Sequence, residues 1–251
     1  MKESPLKLVA ELLEDTQYLD PQASLAWIAK SFPGKTVFSS SLGLEDQLIT
    51  HLIWENDIPV DIFTLDTGRL FPETYSLMER LYGRYGKRIR VCFPNAGKVQ
   101  QLVNEKGPNC FYESVENRKA CCGIRKVDPL GIALEGMDCW ITGIRASQSG
   151  LRAATPGVEW DGTHGVVKFH PLLHWSLERV MAFITDHQIP YNPLHDRGFV
   201  SIGCAPCTRA LKPGEDERAG RWWWENNSSR ECGIHVHASP EGHPALTENH
   251  E

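Results

Sequence analysis

The alternation between residues 35 and 188 constrains this chain most. Short apolar runs there take turns with longer amphipathic segments. Residues 35–39 read as a buried strand, followed by a turn rich in Ser and Gly and a helix over 44–55. The cycle then repeats: strand 60–65 and helix 72–85, strand 88–93 and helix 96–106, with Pro72 at a tolerated first-turn position. A helical stretch over 116–134 carries interruptions near Gly123 and Pro129. Strands follow at 139–144 and 166–169, and a helix at 176–188. Such alternation predicts an α/β fold, a mostly parallel sheet with helices on both faces. In that architecture ligands bind at the carboxyl ends of the strands.

Two helices precede this unit. Residues 6–15 place Leu6, Val9, Leu12 and Leu13 on one face, and residues 21–31 turn Leu25, Trp27 and Ile28 inward. Beyond Ile189 the regularity fades into a stretch rich in Pro, Gly, Arg and Trp. From Asn226 the chain is polar and His-rich. The expectation is a single domain over 1–225 and a mobile C-terminal tail over 226–251.

The net charge of -6 argues against non-specific nucleic-acid binding, which needs surplus Lys and Arg. No run approaches the roughly 18 apolar residues of a membrane span, and the N-terminus lacks the apolar core of a signal peptide. A cytoplasmic protein is expected, and the sequence allows a homo-oligomer. In that compartment the eight cysteines should not be disulfides by default.

Four cysteines form two close pairs, Cys121 with Cys122 and Cys204 with Cys207. A C-x-x-C is a usual two-ligand clip for zinc or iron–sulfur, whereas adjacent cysteines suit one small ion poorly. Spacing leaves both metals open, as well as two buried thiols beside a redox dithiol. Cys92 and Cys139 lie in apolar strand-like runs and read as core residues. Cys110 has no partner pattern. Cys232 stands in the polar tail between Arg230 and His235, which favour a nucleophilic thiolate. The bland alternative is an incidental surface cysteine.

Three turns follow strands and face one sheet edge. Ser39, Ser40, Ser41 and Gly43 offer hydroxyls and backbone N–H groups at a helix start, an arrangement that binds anions or simply caps the helix. Leu65, Asp66, Gly68 and Arg69 end the next strand and suit a nucleotide. Arg145 follows a third strand, and Arg152, Arg209, Arg218 and Arg221 add guanidinium groups able to grip phosphate or sulfate.

Taken together, residues 39–46, 65–74, 121–126, 143–149, 204–207 and 231–235 resemble the assimilatory sulfonucleotide reductases, which use adenylyl-sulfate (APS) or phosphoadenylyl-sulfate (PAPS). The likeness runs from about residue 35 to about 237. It implies an adenine-nucleotide α-hydrolase-like fold, with a Ser-rich turn unlike the Gly-rich loop of the related ATP pyrophosphatases. It also implies a [4Fe-4S] cluster on Cys121, Cys122, Cys204 and Cys207, typical of the APS-using branch. Cys232 becomes the nucleophile. Lys126 lies between cluster and substrate, and Arg218, Arg221 and His235 close over the anion. No internal thiol is placed to resolve the intermediate, so an external dithiol such as thioredoxin is implied. PAPS reduction, an ATP-using iron–sulfur sulfurtransferase and a zinc or redox-sensing module are the competing readings.

Overall fold

The computed structural model describes residues 4–150, 152–225 and 234. Six strands form one sheet in the order β3-β2-β1-β4-β6-β5. They are β1 (Thr36–Ser39), β2 (Asp61–Leu65), β3 (Arg90–Cys92), β4 (Cys139–Ile141), β5 (Val158–Asp161) and β6 (Val166–Phe169). All neighbours run parallel except β5, which closes one edge antiparallel to β6.

Period-two alternation sorts the strand residues between two layers. Phe38, Ile62, Cys139, Ile141, Val167 and Phe169 face a core shared with helices α1 (Pro5–Thr16), α2 (Pro21–Ser31), α3 (Leu44–Glu55) and α8 (Leu177–Asp186). Val37, Phe63, Trp140 and Val166 face the other way, onto Leu130, Ala133 and Leu134 of α7 (Asp128–Leu134). Helices therefore cover both faces, as the alternation predicts.

The helix starts are written in the sequence. The Asp20 carboxylate accepts from the Ala23 N–H, and Asn95 caps α5 (Ala96–Lys106) through the Lys98 N–H. Ser114 caps α6 (Val115–Cys122) and Ser176 caps α8. Pro72 opens α4 (Pro72–Tyr85), and Gly86 ends it in the left-handed region at φ 64°. The expected interruption at Gly123 is a π-helical turn over Gly123–Val127, joining α6 to α7.

Four expectations are corrected. Trp27 is 37% exposed, and Leu6 and Leu13 also face solvent, because the sheet meets only the Leu12 side of α1 and the Leu25–Ile28 ridge of α2. Cys92 is half-buried on the edge strand β3, unlike fully buried Cys139. The strand expected over 139–144 ends at Ile141, where the chain leaves the sheet for the site. Finally, β5 does not appear in the sequence reading. The tail expected over 226–251 lies outside the described residues apart from Ile234.

Candidate active site

Strand order reverses direction between β1 and β4, with β2 and β3 on one side and β6 and β5 on the other. Such a switch point leaves a crevice at the strands' carboxyl ends. Phe38 pairs with Ile141, so Ser39 and Thr142 leave the sheet side by side. A pocket opens there. Its walls include Ser39, Ser40, Ser41, Gly43, Leu65, Lys126, Arg152, Arg218 and Arg221.

The serine turn is held tightly. Ser39 Oγ accepts from Trp140 Nε1 at 2.8 Å, and Ser40 Oγ accepts from the Leu42 N–H at 3.2 Å. Leu42 adopts φ 63° with its side chain buried, an unusual backbone for a branched residue. Ser41 donates both its N–H and its hydroxyl (2.7 Å) to Asp46. Burial pushes the Asp46 carboxyl up to about 7; the Ser41 donors oppose the shift and Glu45 adds to it. Gly143 is required here, because a Cβ would sit 2.1 Å from Asp46 Oδ1.

Several residues expected at the substrate are engaged by other protein groups. Arg145 does not line the pocket. Its side chain is 1% exposed and donates to Glu45 at 2.6 Å, to Glu217 at 2.7 Å and to Ser147 at 2.6 Å. Asp66 accepts from the Gly68 N–H and the Tyr75 hydroxyl, fixing a turn in which Gly68 takes φ 71°. Arg69 reaches away, donating to the Pro108 carbonyl and to Asn109. Sequence gave no sign that Glu217, 72 residues downstream, claims Arg145.

The same turn leads to the cysteines. Thr67 Oγ1 lies 3.2 Å from Cys204 Sγ, the Ala205 N–H donates to the Arg69 carbonyl, and Arg125 donates to the Thr67 carbonyl at 2.6 Å. Cys122, Cys204 and Cys207 are buried with Phe111 and Trp222, and Cys121 packs against them. The expected quartet is therefore brought together from the end of α6 and a short turn over Ala205–Cys207. Burial works against a Cys204 thiolate, but Lys126, the Thr67 hydroxyl, Arg221 and Arg125 outweigh it and hold its pKa below the ordinary thiol value. Burial pushes Cys207 up to about 12, with Cys204 and Cys122 adding to the shift. Among the described residues, no three His, Cys, Asp or Glu side chains converge closely enough to hold a single metal ion.

The Arg221 guanidinium packs close to Gly203, where a Cβ would lie 2.4 Å from it. Its Nε and that of Arg125 are buried without hydrogen-bond partners among the described residues. Cys232 and His235 lie outside the described residues. Ile234, between Gly233 and His235 in sequence, lines the pocket. The sequence reading missed Thr142, Gly203 and Ile234 as parts of this site. Only the position of Thr142 just before the Gly143 turn hinted at it.

A doubly covered parallel sheet with a hydroxyl- and cation-lined pocket at its switch point defines the class: an α/β nucleotide-binding domain. Comparison with known proteins narrows it. The profile of the phosphoadenosine phosphosulfate reductase domain matches residues 35–210, and the chain belongs to that family. It is 51% identical over 218 residues to an adenosine 5'-phosphosulfate reductase of Agrobacterium fabrum, spanning 87% of this chain and 84% of the relative. It is 50% identical over 214 residues to the Allochromatium vinosum protein of the same name, spanning 84% of each. Among solved structures, the phosphoadenylyl-sulfate reductase of Candida auris superposes with TM-score 0.72 at 27% identity, over 83% of this chain and 99% of that one. A Candida glabrata FMN adenylyltransferase shares only the fold, with TM-score 0.53 and 16% identity over 89% of this chain and 75% of that one.

Proposed function

We propose that this protein reduces adenosine 5'-phosphosulfate to sulfite and AMP in assimilatory sulfate reduction. The observation that carries the reading is the pocket itself, which joins Ser39, Ser40, Ser41, Lys126, Arg152, Arg218 and Arg221 with Ile234, the sequence neighbour of Cys232 and His235. Near-50% identity to relatives named for this reaction supports the substrate. The absence, among described residues, of a helix able to cross a membrane accords with a cytoplasmic enzyme.

The nucleotide lies along Leu65 and the 66–69 turn, with its phosphosulfate toward the serine turn, Lys126, Arg152, Arg218 and Arg221. Guanidinium groups grip the non-bridging oxygens in pairs and cancel charge that would repel an incoming thiolate. The Cys232 thiolate attacks sulfur and the S–O bond to AMP breaks. AMP departs with that bonding pair and leaves S-sulfocysteine. A thiolate of an external dithiol, with thioredoxin the expected donor, then attacks Cys232 Sγ. Sulfite leaves with the S–S bonding pair, and the donor's second thiol displaces Cys232 as it closes a disulfide. The dithiol supplies both electrons.

The four cysteines fit a [4Fe-4S] cluster. Two thiol pairs on separate elements suit separate irons better than one ion, and Lys126, Arg125 and Arg221 surround them with positive charge suited to an anionic cluster. When bound, the cluster supplies a structural clamp and a local field, with no electron demanded of it. Cys121, Cys122, Cys204 and Cys207 would hold it, and Lys126, which lines the pocket and acts on Cys204, would link its charge to the substrate site.

The test is sulfite release from APS by anaerobically purified protein with thioredoxin, beside Cys232→Ser and beside PAPS. Turnover of APS that is lost in the variant is the expected result. Sulfite from neither nucleotide, with the cluster intact, would overturn the reading.

A further inference from the structure

Behind the pocket wall lies a buried polar chain that the reaction scheme does not use. Thr142 is 2% exposed, yet it is among the residues that line the pocket, beside Gly143. Its Oγ1 lies 2.6 Å from His170 Nδ1. On the far side of the ring, His170 Nε2 lies 3.2 Å from Glu159 Oε1, which also receives Lys168 Nζ at 3.2 Å. The members come from three strands or their ends: Thr142 after β4, Glu159 on β5, and Lys168 and His170 on or just after β6. The order hydroxyl, imidazole, carboxylate is that of a triad in which the carboxylate orients the ring without itself taking a proton.

Partner chemistry fixes the resting arrangement. Glu159 stays ionised, because its His170 and Lys168 donors outweigh the effect of burial and hold its pKa at about 2. A carboxylate beside Nε2 places the ring hydrogen there, leaving Nδ1 as an acceptor. Thr142 must then donate its only hydrogen to the ring, which leaves only lone pairs on its oxygen for a ligand in the pocket it lines. Desolvation favours this neutral ring, and Lys168 and Arg152 add to the effect while Glu159 opposes it. Among the described residues, these groups and Thr142 are the ones that act on His170 from β5, β6 and the segment after β4.

Lone pairs repel an anion. We propose that Thr142, His170 and Glu159 form a proton-linked hydroxyl switch, in which entry of the phosphosulfate is coupled to protonation of His170 and turns Thr142 from acceptor to donor. The balance is one proton: it arrives from solvent on Nδ1, Nδ1–H donates to Thr142 Oγ1, and the freed hydroxyl hydrogen turns to a phosphosulfate oxygen. Glu159 remains a carboxylate throughout and compensates the new imidazolium. Thr142 becomes a substrate-binding residue, while His170 and Glu159 are positioning residues acting through it.

The inference depends on the proposed function, and the test separates the two. APS is titrated by calorimetry into cluster-loaded Cys232→Ser protein, which binds without turnover, in buffers of different ionisation enthalpy near pH 7. The slope against that enthalpy counts protons taken up. Adding Thr142→Val should weaken APS binding by about tenfold to a hundredfold, the worth of one hydrogen bond to a charged group. It should also lower proton uptake by up to one per APS. Thr142→Ser should restore both, and His170→Asn should remove the proton uptake. Unchanged affinity and uptake in Thr142→Val and His170→Asn would overturn the switch while leaving APS as substrate. Failure of the Cys232→Ser protein itself to bind APS would overturn both.

Discussion

Cutting the ion pair between Arg118 and Glu225 should be the most damaging single change made outside the pocket. Arg118 Nε and Nη2 donate to the two Glu225 carboxylate oxygens at 2.8 and 3.0 Å. The side chains are only 1% and 3% exposed, and the guanidinium lies 4.7 Å from the Trp222 ring centroid. Arg118 sits on α6 one turn before Cys121, and Glu225 directly precedes the polar C-terminal segment. Glu225→Gln removes the buried carboxylate charge that faces Arg118, and Arg118→Met removes the buried guanidinium that faces Glu225. Each should cost about 3–5 kcal/mol, the usual penalty for removing one partner of a buried pair. At about 2–4 °C per kcal/mol for a chain of this size, that predicts melting lowered by roughly 6–20 °C. The Arg118→Met, Glu225→Leu double variant should recover most of the loss, since an apolar pair of similar volume strands no charge. Anaerobic urea unfolding of the four proteins gives the coupling energy. Single variants within about 1 kcal/mol of the parent, or losses that simply add in the double variant, would refute the reasoning.

Three further outcomes are expected. Gly203→Ala places a methyl 2.4–2.8 Å from three guanidinium atoms of Arg221, so the flexible side chain should swing away. The KM for APS should then rise more than about tenfold with little loss of stability, as for one lost charge-assisted hydrogen bond. Asp46 is fully buried with its pKa raised from 3.8 to about 7, so the protonated form favours folding. That contribution is present below pH 3.8, fades as pH rises and is gone above about 7. Asp46→Asn should therefore gain melting temperature relative to the parent between pH 4 and 7, by up to roughly 4 kcal/mol in equivalent stability. A pH-independent difference between the two proteins would contradict it. Cys204→Ser should lower iron content and visible absorbance at constant protein yield, read by metal analysis after anaerobic purification.

Helix positions were the most legible part of the sequence. The bounds of α3, α4 and α5 coincide with their reading because Gly, Pro and Asn signals stand at their ends. The failures share a cause: each depended on a partner that the local residue pattern does not name. Strand β5 is short and carries Glu159 and Asp161, and only pairing with β6 makes it a strand. Arg145 looked like an anion ligand because its two carboxylate partners lie 100 and 72 residues away. The Thr142, His170 and Glu159 chain was invisible for the same reason. The cysteine pairs were legible by contrast, since each pair is local and only their meeting needed the fold.

Arg221 leaves one further consequence. Its backbone bridges Thr208, the Trp222 N–H donates to the Cys207 carbonyl at 3.2 Å, and the Arg209 N–H donates to the Gly220 carbonyl at 3.0 Å. The turn carrying two of the thiols and the segment aiming two arginines at the pocket are thus one folded piece. Neither can drift in evolution without the other, and a lineage that gave up the cysteines would have to rebuild its grip on the anion.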